Sequence, residues 1–253
     1  VRMKEAISKL NWPLVQQFEA APLRAGSVVL YSHNMFHRGN HRRDDWQKWQ
    51  EKPRFMWRFW LYRTADPIAL KNGNSSTMEV RWDKLGQDPL TNIDLTNTKD
   101  EVTAVWQHHY HWMQTGQAPP PRSEATTLEE EEQEAKRLFT QLHAKHDEAE
   151  PTRIGAAYKL ASIGNTELAV KLLGQALYNE RESVRRAATY GLIAVGPDAT
   201  NTFLEATNTP IKWVRKAGVY GLGDASPLNN EVLKAVVACL ENDPSVYVRS
   251  VAA

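Results

Sequence analysis

The hydrophobic and polar positions after Pro151 repeat at a regular interval. Residues 153–160, 185–192 and 215–222 align without gaps, each with arginine first, small residues in the middle and tyrosine two places before a final leucine. Residues 248–253 begin a fourth copy, and the successive arginines are 32, 30 and 34 residues apart. Further apolar helices are predicted at 167–177, 199–206 and 230–240. A period of this length is typical of stacked helical repeats, so the pattern predicts an α-solenoid over residues 151–253.

The blocks also repeat the type of residue at each position. Small residues recur where neighbouring helices must approach closely, and the tyrosines and leucines are predicted to supply the buried surface. The tyrosines are Tyr158, Tyr190 and Tyr220. These blocks resemble HEAT repeats of the short, phycobilisome-lyase-like kind. The resemblance implies stacked antiparallel helix pairs that hold a protein partner.

The repeated arginines are expected to lie along one ridge of the solenoid. They are Arg153, Arg185, Arg215 and Arg249. Two roles are open for them from the sequence alone: the ridge binds an acidic partner, or each arginine pairs with a carboxylate or with carbonyl groups of a neighbouring repeat. Nothing in the repeat region has a catalytic pattern.

The first part of the chain has a different pattern, with strand-like runs. Residues 27–31 are short, apolar and β-branched after Gly26, which predicts a buried strand entered through a tight turn. Residues 54–62 put Arg54 and Arg58 on one face of a strand beside large apolar groups. An arginine on such a face must find an anion, because an unpaired buried charge is very unfavourable. Between the runs, His37 is expected at a strand edge beside a polar loop, where a histidine can reach a metal.

Three short motifs stand in this region: Gly26-Ser-Val-Val-Leu-Tyr, then His37-Arg-Gly-Asn, then Pro53-Arg at the start of an aromatic strand. They resemble the C-terminal part of the phytanoyl-CoA dioxygenase family of iron(II)/2-oxoglutarate oxygenases. The resemblance covers residues 23–67 and implies a jelly-roll fold, with His37 as the distal iron ligand. It also implies that Arg54, or alternatively Arg58, binds the far carboxylate of the cosubstrate 2-oxoglutarate by a bidentate contact.

The iron site of that family also needs a His-x-Asp or His-x-Glu pair upstream of His37. His33 is followed by asparagine and methionine, so it does not supply the pair. His146 has Glu148 two places on, but it lies in a charged helical stretch and in the wrong order. We therefore expect the sequence to be a fragment at both ends, with the missing strands before Val1 and a last repeat that is cut short. As written, it offers one ligand of a facial triad and not three.

The region between the two patterns is predicted to contain two helices and a spacer. Residues 99–114 look helical, with an apolar face at three- and four-residue spacing formed by Val102, Val105, Trp106, His109 and Met113. His108 and His111 lie one turn apart, which leaves open a metal site or a helix docked on the outer face of the jelly roll. Residues 117–122 contain three consecutive prolines, typical of a stiff spacer. An acidic helix is predicted at 127–148, and its glutamates 129–132 are either a solvated helix start or a partner-binding surface.

The predicted fold class is therefore multidomain α and β, with a partial jelly roll (double-stranded β-helix) followed by an α-solenoid of HEAT-like repeats. Residues 1–117 are assigned to the C-terminal portion of an oxygenase domain. Residues 118–150 are assigned to a proline-rich linker and acidic helix, and residues 151–253 to the repeat domain.

Composition restricts the partners and the compartment. The chain has 31 basic and 30 acidic residues, which gives no broad electrostatic case for nucleic acid. No apolar run approaches the ~18 residues of a membrane span. The single cysteine, Cys239, excludes an internal disulfide framework, fits a reducing compartment such as the cytoplasm, and is expected to be a small buried hydrophobe.

Two functions follow from these patterns. The first is an iron(II)/2-oxoglutarate-dependent dioxygenase that hydroxylates a small-molecule substrate and carries a HEAT-repeat tail for a protein partner. The second is a non-catalytic scaffold in which the repeats alone hold a partner. Sequence does not identify the substrate, because a fold does not fix the chemistry of its loops.

Overall fold

The structure of the chain is a computed structural model that describes residues 80, 82, 84–87, 94–120, 127–145 and 149–253. Regular structure in this part of the chain is helical, apart from one isolated antiparallel bridge between Gln87 and Asp94. The α-helices of the described residues are α1 Asp100–Thr115, α2 Leu128–Leu142, α3 Glu150–Ala161, α4 Thr166–Leu177, α5 Glu182–Val195, α6 Thr200–Thr207, α7 Lys212–Ala225, α8 Asn230–Asn242 and α9 Val246–Ala252. A 3-10 turn, Pro197–Ala199, precedes α6.

Several of these helices begin at a side chain that accepts a hydrogen bond from the first turn. The Thr127 hydroxyl accepts from the Glu130 amide at 3.2 Å, and the Glu130 carboxylate accepts from the Thr127 amide at 3.2 Å. Asn165 and Asn229 cap α4 and α8 in the same manner. Each cap satisfies amide groups that have no partner inside the helix, at a gain of about 1 kcal/mol.

The helices form two layers. Helices α1, α3, α5, α7 and α9 pack one after another in the first layer, and α2, α4, α6 and α8 form the second. Across the layers the closest pairs are α2 with α3, α4 with α5, α6 with α7, and α8 with α9. Because short turns join the two helices of each pair, the pairs are antiparallel and stack as a solenoid.

This pairing extends the repeat region beyond the predicted start. Helix α2, predicted from the sequence as an acidic helix after the proline-rich linker, packs its buried residues Ala135, Leu138 and Leu142 against α3 as the first half of a helix pair. The helix ends at Leu142, so the predicted helix at 127–148 was too long at its C-terminal end. Glu129 and Glu130 are exposed in its first turn, where negative charge stabilises a helix, whereas Glu131 is half-buried and accepts a hydrogen bond from the Asn165 amide at 2.7 Å.

One hydrophobic core runs through the stack from Ala135 on α2 to Val232 on α8. Phe203 and the leucines of the repeated blocks are fully buried in it, and each such side chain contributes about 1.5–3 kcal/mol. Cys239 lies in a smaller cluster with Val219 and Val248, which confirms it as a buried residue. Burial raises the pKa of the Cys239 thiol.

Glycine allows the closest approach between layers. A Cβ atom at Gly221 on α7 would overlap the ring of Phe203 on α6. A Cβ at Gly191 on α5, the equivalent position, would overlap the Leu173 side chain on α4. Both glycines directly follow the repeated tyrosine, so in these two pairs this position of the repeat is where the second helix contacts side chains of the first.

The structure confirms the predicted solenoid of HEAT-like repeats. The helices predicted at 167–177, 199–206 and 230–240 are observed with ends that differ by at most two residues. The jelly roll predicted within residues 1–117 falls mainly on residues outside those the structure describes, and it stays a prediction. Helix α1, expected to dock on that jelly roll, is found packed on α3 of the repeat region. No helix in the described part of the chain has the length and apolarity needed to cross a membrane.

Candidate interaction surface

Each repeated arginine after the first helix pair binds the turn that leads into its own helix. Arg185 Nη1 donates to the carbonyls of Asn179 and Glu180 at 2.7 Å each. Arg215 Nη1 donates to the carbonyls of Thr209 and Pro210 at 3.0 Å each. These carbonyls lie just beyond the end of the preceding helix, where backbone acceptors have no helical partner. The guanidinium therefore holds the two helices of a pair together at their turn.

The arginines at the two ends of the row also bind carboxylates or further carbonyls. Arg153, only 3% exposed, donates to Glu150 Oε2 at 2.8 Å and to the carbonyl of Ala144 at 2.8 Å. Arg249 donates to the carbonyl of Asp243 at 2.7 Å. Of the two roles left open by the sequence, the structure favours internal pairing, because these guanidinium groups are engaged within the stack.

The repeated tyrosines lie in a row but are not the buried surface that the sequence predicted. The leucines that follow them, Leu160, Leu192 and Leu222, are fully buried, whereas Tyr158 and Tyr190 are half-buried and Tyr220 is 44% exposed. A phenol hydroxyl needs water or a partner, so it stays at the surface while its ring covers the core. Burial, followed by the neighbouring Tyr190 and Tyr220, raises the pKa of Tyr158 to about 12. The three tyrosines occupy equivalent positions on the successive first-layer helices α3, α5 and α7.

Helix α1 extends this row with two histidines. The Tyr158 hydroxyl is hydrogen-bonded to His109 Nε2 at 3.0 Å, and the ring of His108 meets the Tyr158 ring edge-on at 5.0 Å between centroids. Burial, helped by His109 and His111, lowers the pKa of His108 to about 4. The described residues contain no group of three or more side chains that could hold a metal. Through their contacts with Tyr158, His108 and His109 dock α1 on α3.

The predicted apolar face of α1 was wrong for two of its residues. Trp106 and Met113 were placed on the face at three- and four-residue spacing, yet they are 40% and 59% exposed. The buried residue is Ala104, and Glu101 lies directly over Gly155 of α3. Small and polar groups make this contact because Gly155 lets the two backbones come close.

A second surface is formed where the first-layer helices begin. The first helical residues of α3, α5, α7 and α9 are Glu150, Glu182, Lys212 and Val246, and the next residues are Pro151, Ser183, Trp213 and Tyr247. In the earlier pairs this edge is anionic, and both glutamates bind Arg186, at 2.5 and 3.5 Å. In the later pairs the same positions become cationic and aromatic.

We call Lys212, Trp213, Val246 and Tyr247 the aromatic patch. The two rings are tilted by 42° with centroids 5.2 Å apart, and the Lys212 ammonium lies 4.7 Å from the Trp213 centroid and 5.9 Å from that of Tyr247. Trp213 and Tyr247 are 39% and 54% exposed, and Val246 is 59% exposed. Three patch residues, Lys212, Val246 and Tyr247, line a shallow open pocket together with Arg215, Pro244 and Ser245. Such an exposed apolar surface, rimmed by a cation, is typical of a binding site.

Sequence reasoning missed the aromatic patch, although a signal for it was present. The blocks were aligned from the repeated arginine onwards, and the patch lies two and three positions before that arginine. A comparison of those positions shows the change from Glu-Pro and Glu-Ser to Lys-Trp and Val-Tyr. Exposure of these side chains required the structure.

The predicted oxygenase residues cannot be compared with this surface. His37, Arg54 and the alternative Arg58 lie outside the described residues, so the iron site and the 2-oxoglutarate site stay predictions.

The repeat region was compared with known protein families. The family model described as HEAT repeats matches residues 170–253. This region is built of HEAT repeats. It contains the helices α5–α9 and with them the aromatic patch, while the helix pair of α2 and α3 continues the same stack toward the N-terminal side. No curated protein matches the chain.

Proposed function

We propose that this chain is a protein-interaction module in which HEAT repeats present the aromatic patch to a partner protein. The observation that carries the proposal is the exposure of Trp213 and Tyr247, in contact with each other, on two adjacent repeats. The fold does not require aromatic rings there, because Pro151 and Ser183 occupy the equivalent positions. Tryptophan and tyrosine contribute much of the binding energy in protein interfaces because they bury a large, rigid surface.

Other positions of the repeat have a structural role and leave binding to the positions before the arginine. The repeated arginines and leucines are engaged inside the stack, so they maintain the shape of the solenoid. The positions two and three residues before the arginine differ from repeat to repeat, so they can determine which partner binds. A repeat protein that keeps its internal contacts constant can change its binding surface without changing its fold.

Photo-crosslinking tests the proposal at matched positions. A benzoylphenylalanine in place of Trp213 and one in place of Ser183 occupy equivalent sites on adjacent repeats. In cells that express the full chain, we expect a discrete adduct from position 213 that is absent at 183. Mass spectrometry of the adduct identifies the partner. Identical adducts at both positions, or none at 213, would contradict the proposal.

We keep the oxygenase as a second proposed function for the part of the chain before the repeats. It rests on the motif around His37 and Arg54 and on the family that this motif resembles. In such a protein the repeats would recruit a partner while the oxygenase part uses iron(II) and 2-oxoglutarate on a substrate.

A further inference from the structure

The aromatic patch carries a positive charge that no carboxylate in the described part of the chain neutralises. Within the described part of the chain, no carboxylate pairs with Lys212. The nearest acid along the turn, Asp243, is held by Arg215 at 2.6 and 3.0 Å and by the Ser245 amide at 2.8 Å. Among the described residues, Lys212 therefore has no ion-pair partner, whereas the neighbouring carboxylate of Asp243 is already paired.

Lys212 also replaces an acid that would suit the helix better. Glutamate stands at the equivalent positions 150 and 182, at the start of α3 and α5. Negative charge is favourable in the first turn of a helix, and positive charge is not. The change to lysine at the start of α7 therefore gives up helix stability, and it occurs at the same repeat where the aromatic rings appear.

The Lys212 ammonium lies over the rings of Trp213 and Tyr247, which are 39% and 54% exposed. A ligand with a carboxylate would meet Lys212, while an apolar side chain of the same ligand would meet Trp213 and Val246. A charged contact next to an apolar contact discriminates between ligands better than either one alone.

We propose that the aromatic patch binds an acidic peptide segment that also carries a large apolar side chain. This inference rests on the proposed interaction function and names the class of partner. A single spare lysine fits one or two carboxylates of a peptide. Nucleic acid and anionic membranes are bound by several cations along a repeating array of phosphates, which the patch does not offer.

Fluorescence anisotropy with labelled twelve-residue peptides tests this proposal on the whole chain. One peptide carries a Glu-Asp pair next to phenylalanine in a Gly-Ser background. A second replaces the acids with Gln-Asn, and a third replaces phenylalanine with alanine. We expect the first peptide to bind at least about tenfold more tightly than either of the others, which corresponds to about 1.4 kcal/mol for each lost contact.

Variants of the chain locate the binding site. Lys212→Glu restores the acid found in the earlier repeats and is expected to weaken the first peptide about tenfold or more, whereas Trp213→Ser removes the preference for phenylalanine. Lys171→Glu on α4 makes the same charge change at another exposed lysine and is the matched control. Circular dichroism and thermal unfolding of each variant report whether the solenoid is intact.

Several outcomes would overturn the inference. These are equal binding of the acidic and amide peptides, an equal loss with Lys171→Glu, or patch-dependent binding of phosphatidylserine vesicles or of a dT12 oligonucleotide. If the peptides fail but position 213 still crosslinks to a protein, the peptide class is wrong and the interaction function stands. If no peptide binds and position 213 gives no adduct, both the peptide class and the interaction function are wrong.

Discussion

Arg215 and Asp243 join two neighbouring repeats through two hydrogen bonds, Nε to Oδ2 at 2.6 Å and Nη2 to Oδ1 at 3.0 Å. Both side chains are largely buried, with 11% and 5% of their surfaces exposed. The same arginine also holds the carbonyls of Thr209 and Pro210 in its own turn. One guanidinium therefore fixes the turn within a repeat and the contact with the next repeat. The arginine holds Asp243 in its charged form, which lowers the pKa of that carboxyl.

Replacement of Arg215 by alanine should destabilise the solenoid strongly. The change leaves the Asp243 carboxylate without its cation and two carbonyls without a donor, at a cost on the order of 3 kcal/mol. Arg186→Ala is the matched control, because its pairs with Glu150 and Glu182 are partly exposed and should contribute less than about 1 kcal/mol. Urea unfolding followed by circular dichroism measures both. Both arginines bridge neighbouring repeats, so equal losses would show that burial of the Arg215–Asp243 pair does not increase its contribution.

Glycine at 221 should be essential for the contact between α6 and α7. A Cβ there would overlap the ring of Phe203, so Gly221→Ala is expected to cost about 1–3 kcal/mol. Gly223 lies on the same helix with nothing near its missing Cβ, so Gly223→Ala should stabilise by up to about 1 kcal/mol through helix propensity. Thermal unfolding distinguishes the two variants. If Gly221→Ala left the thermal stability unchanged, the two layers could move apart at no cost in free energy of unfolding, and the prediction would be wrong.

Docking of α1 should weaken in acid. The pKa of His108 is lowered in the folded chain to about 4 from an ordinary value of 6.5, so the undocked histidine binds a proton more readily. The docked state is therefore favoured above pH 6.5 and loses stability as the pH falls toward 4. Amide hydrogen exchange in α1, corrected for the intrinsic rate, should rise relative to α7 between pH 7 and 5.

The variant His108→Phe tests the cause of that dependence. Phenylalanine keeps a ring against Tyr158 but cannot take up a proton, so the pH dependence of exchange in α1 should become smaller. The part that remains is assigned to His109, whose pKa burial also lowers. An unchanged slope in the variant would exclude His108 as the titrating group.

The oxygenase prediction is tested on the full-length protein. His37→Ala should abolish iron-dependent formation of succinate from 2-oxoglutarate, because a lost ligand opens the metal site without removing core volume. His33→Ala, four residues away, is the control and should retain activity. Succinate formation at the unaltered rate by His37→Ala would end the oxygenase assignment.

Arginine variants in the same assay locate the 2-oxoglutarate site. Arg54→Lys keeps the charge but not the planar fork, so it should mainly weaken the apparent affinity for 2-oxoglutarate. If Arg58→Lys has this effect and Arg54→Lys does not, Arg58 is the cosubstrate ligand.

The sequence by itself determined the repeat period, the helices and the register of the arginines and tyrosines. Hydrophobic spacing and helix caps act within a few residues, so they can be read along the chain. The same local patterns were wrong about α1, where the spacing favoured Trp106 and Met113 as the buried face. A glycine on another helix, Gly155, decided which face of α1 could approach it.

Only the tertiary structure decided how those elements are used. In the tertiary structure α2 pairs with α3, and the repeated arginines bind carbonyls and, in the case of Arg215, Asp243. Trp213 and Tyr247, 34 positions apart in the sequence, are in contact. These contacts join groups that are distant along the chain, and their formation depends on which surfaces the stacked helices leave uncovered. The sequence places a lysine and two aromatic residues near helix starts, and the fold makes them one surface, because stacking brings successive helix starts to the same edge.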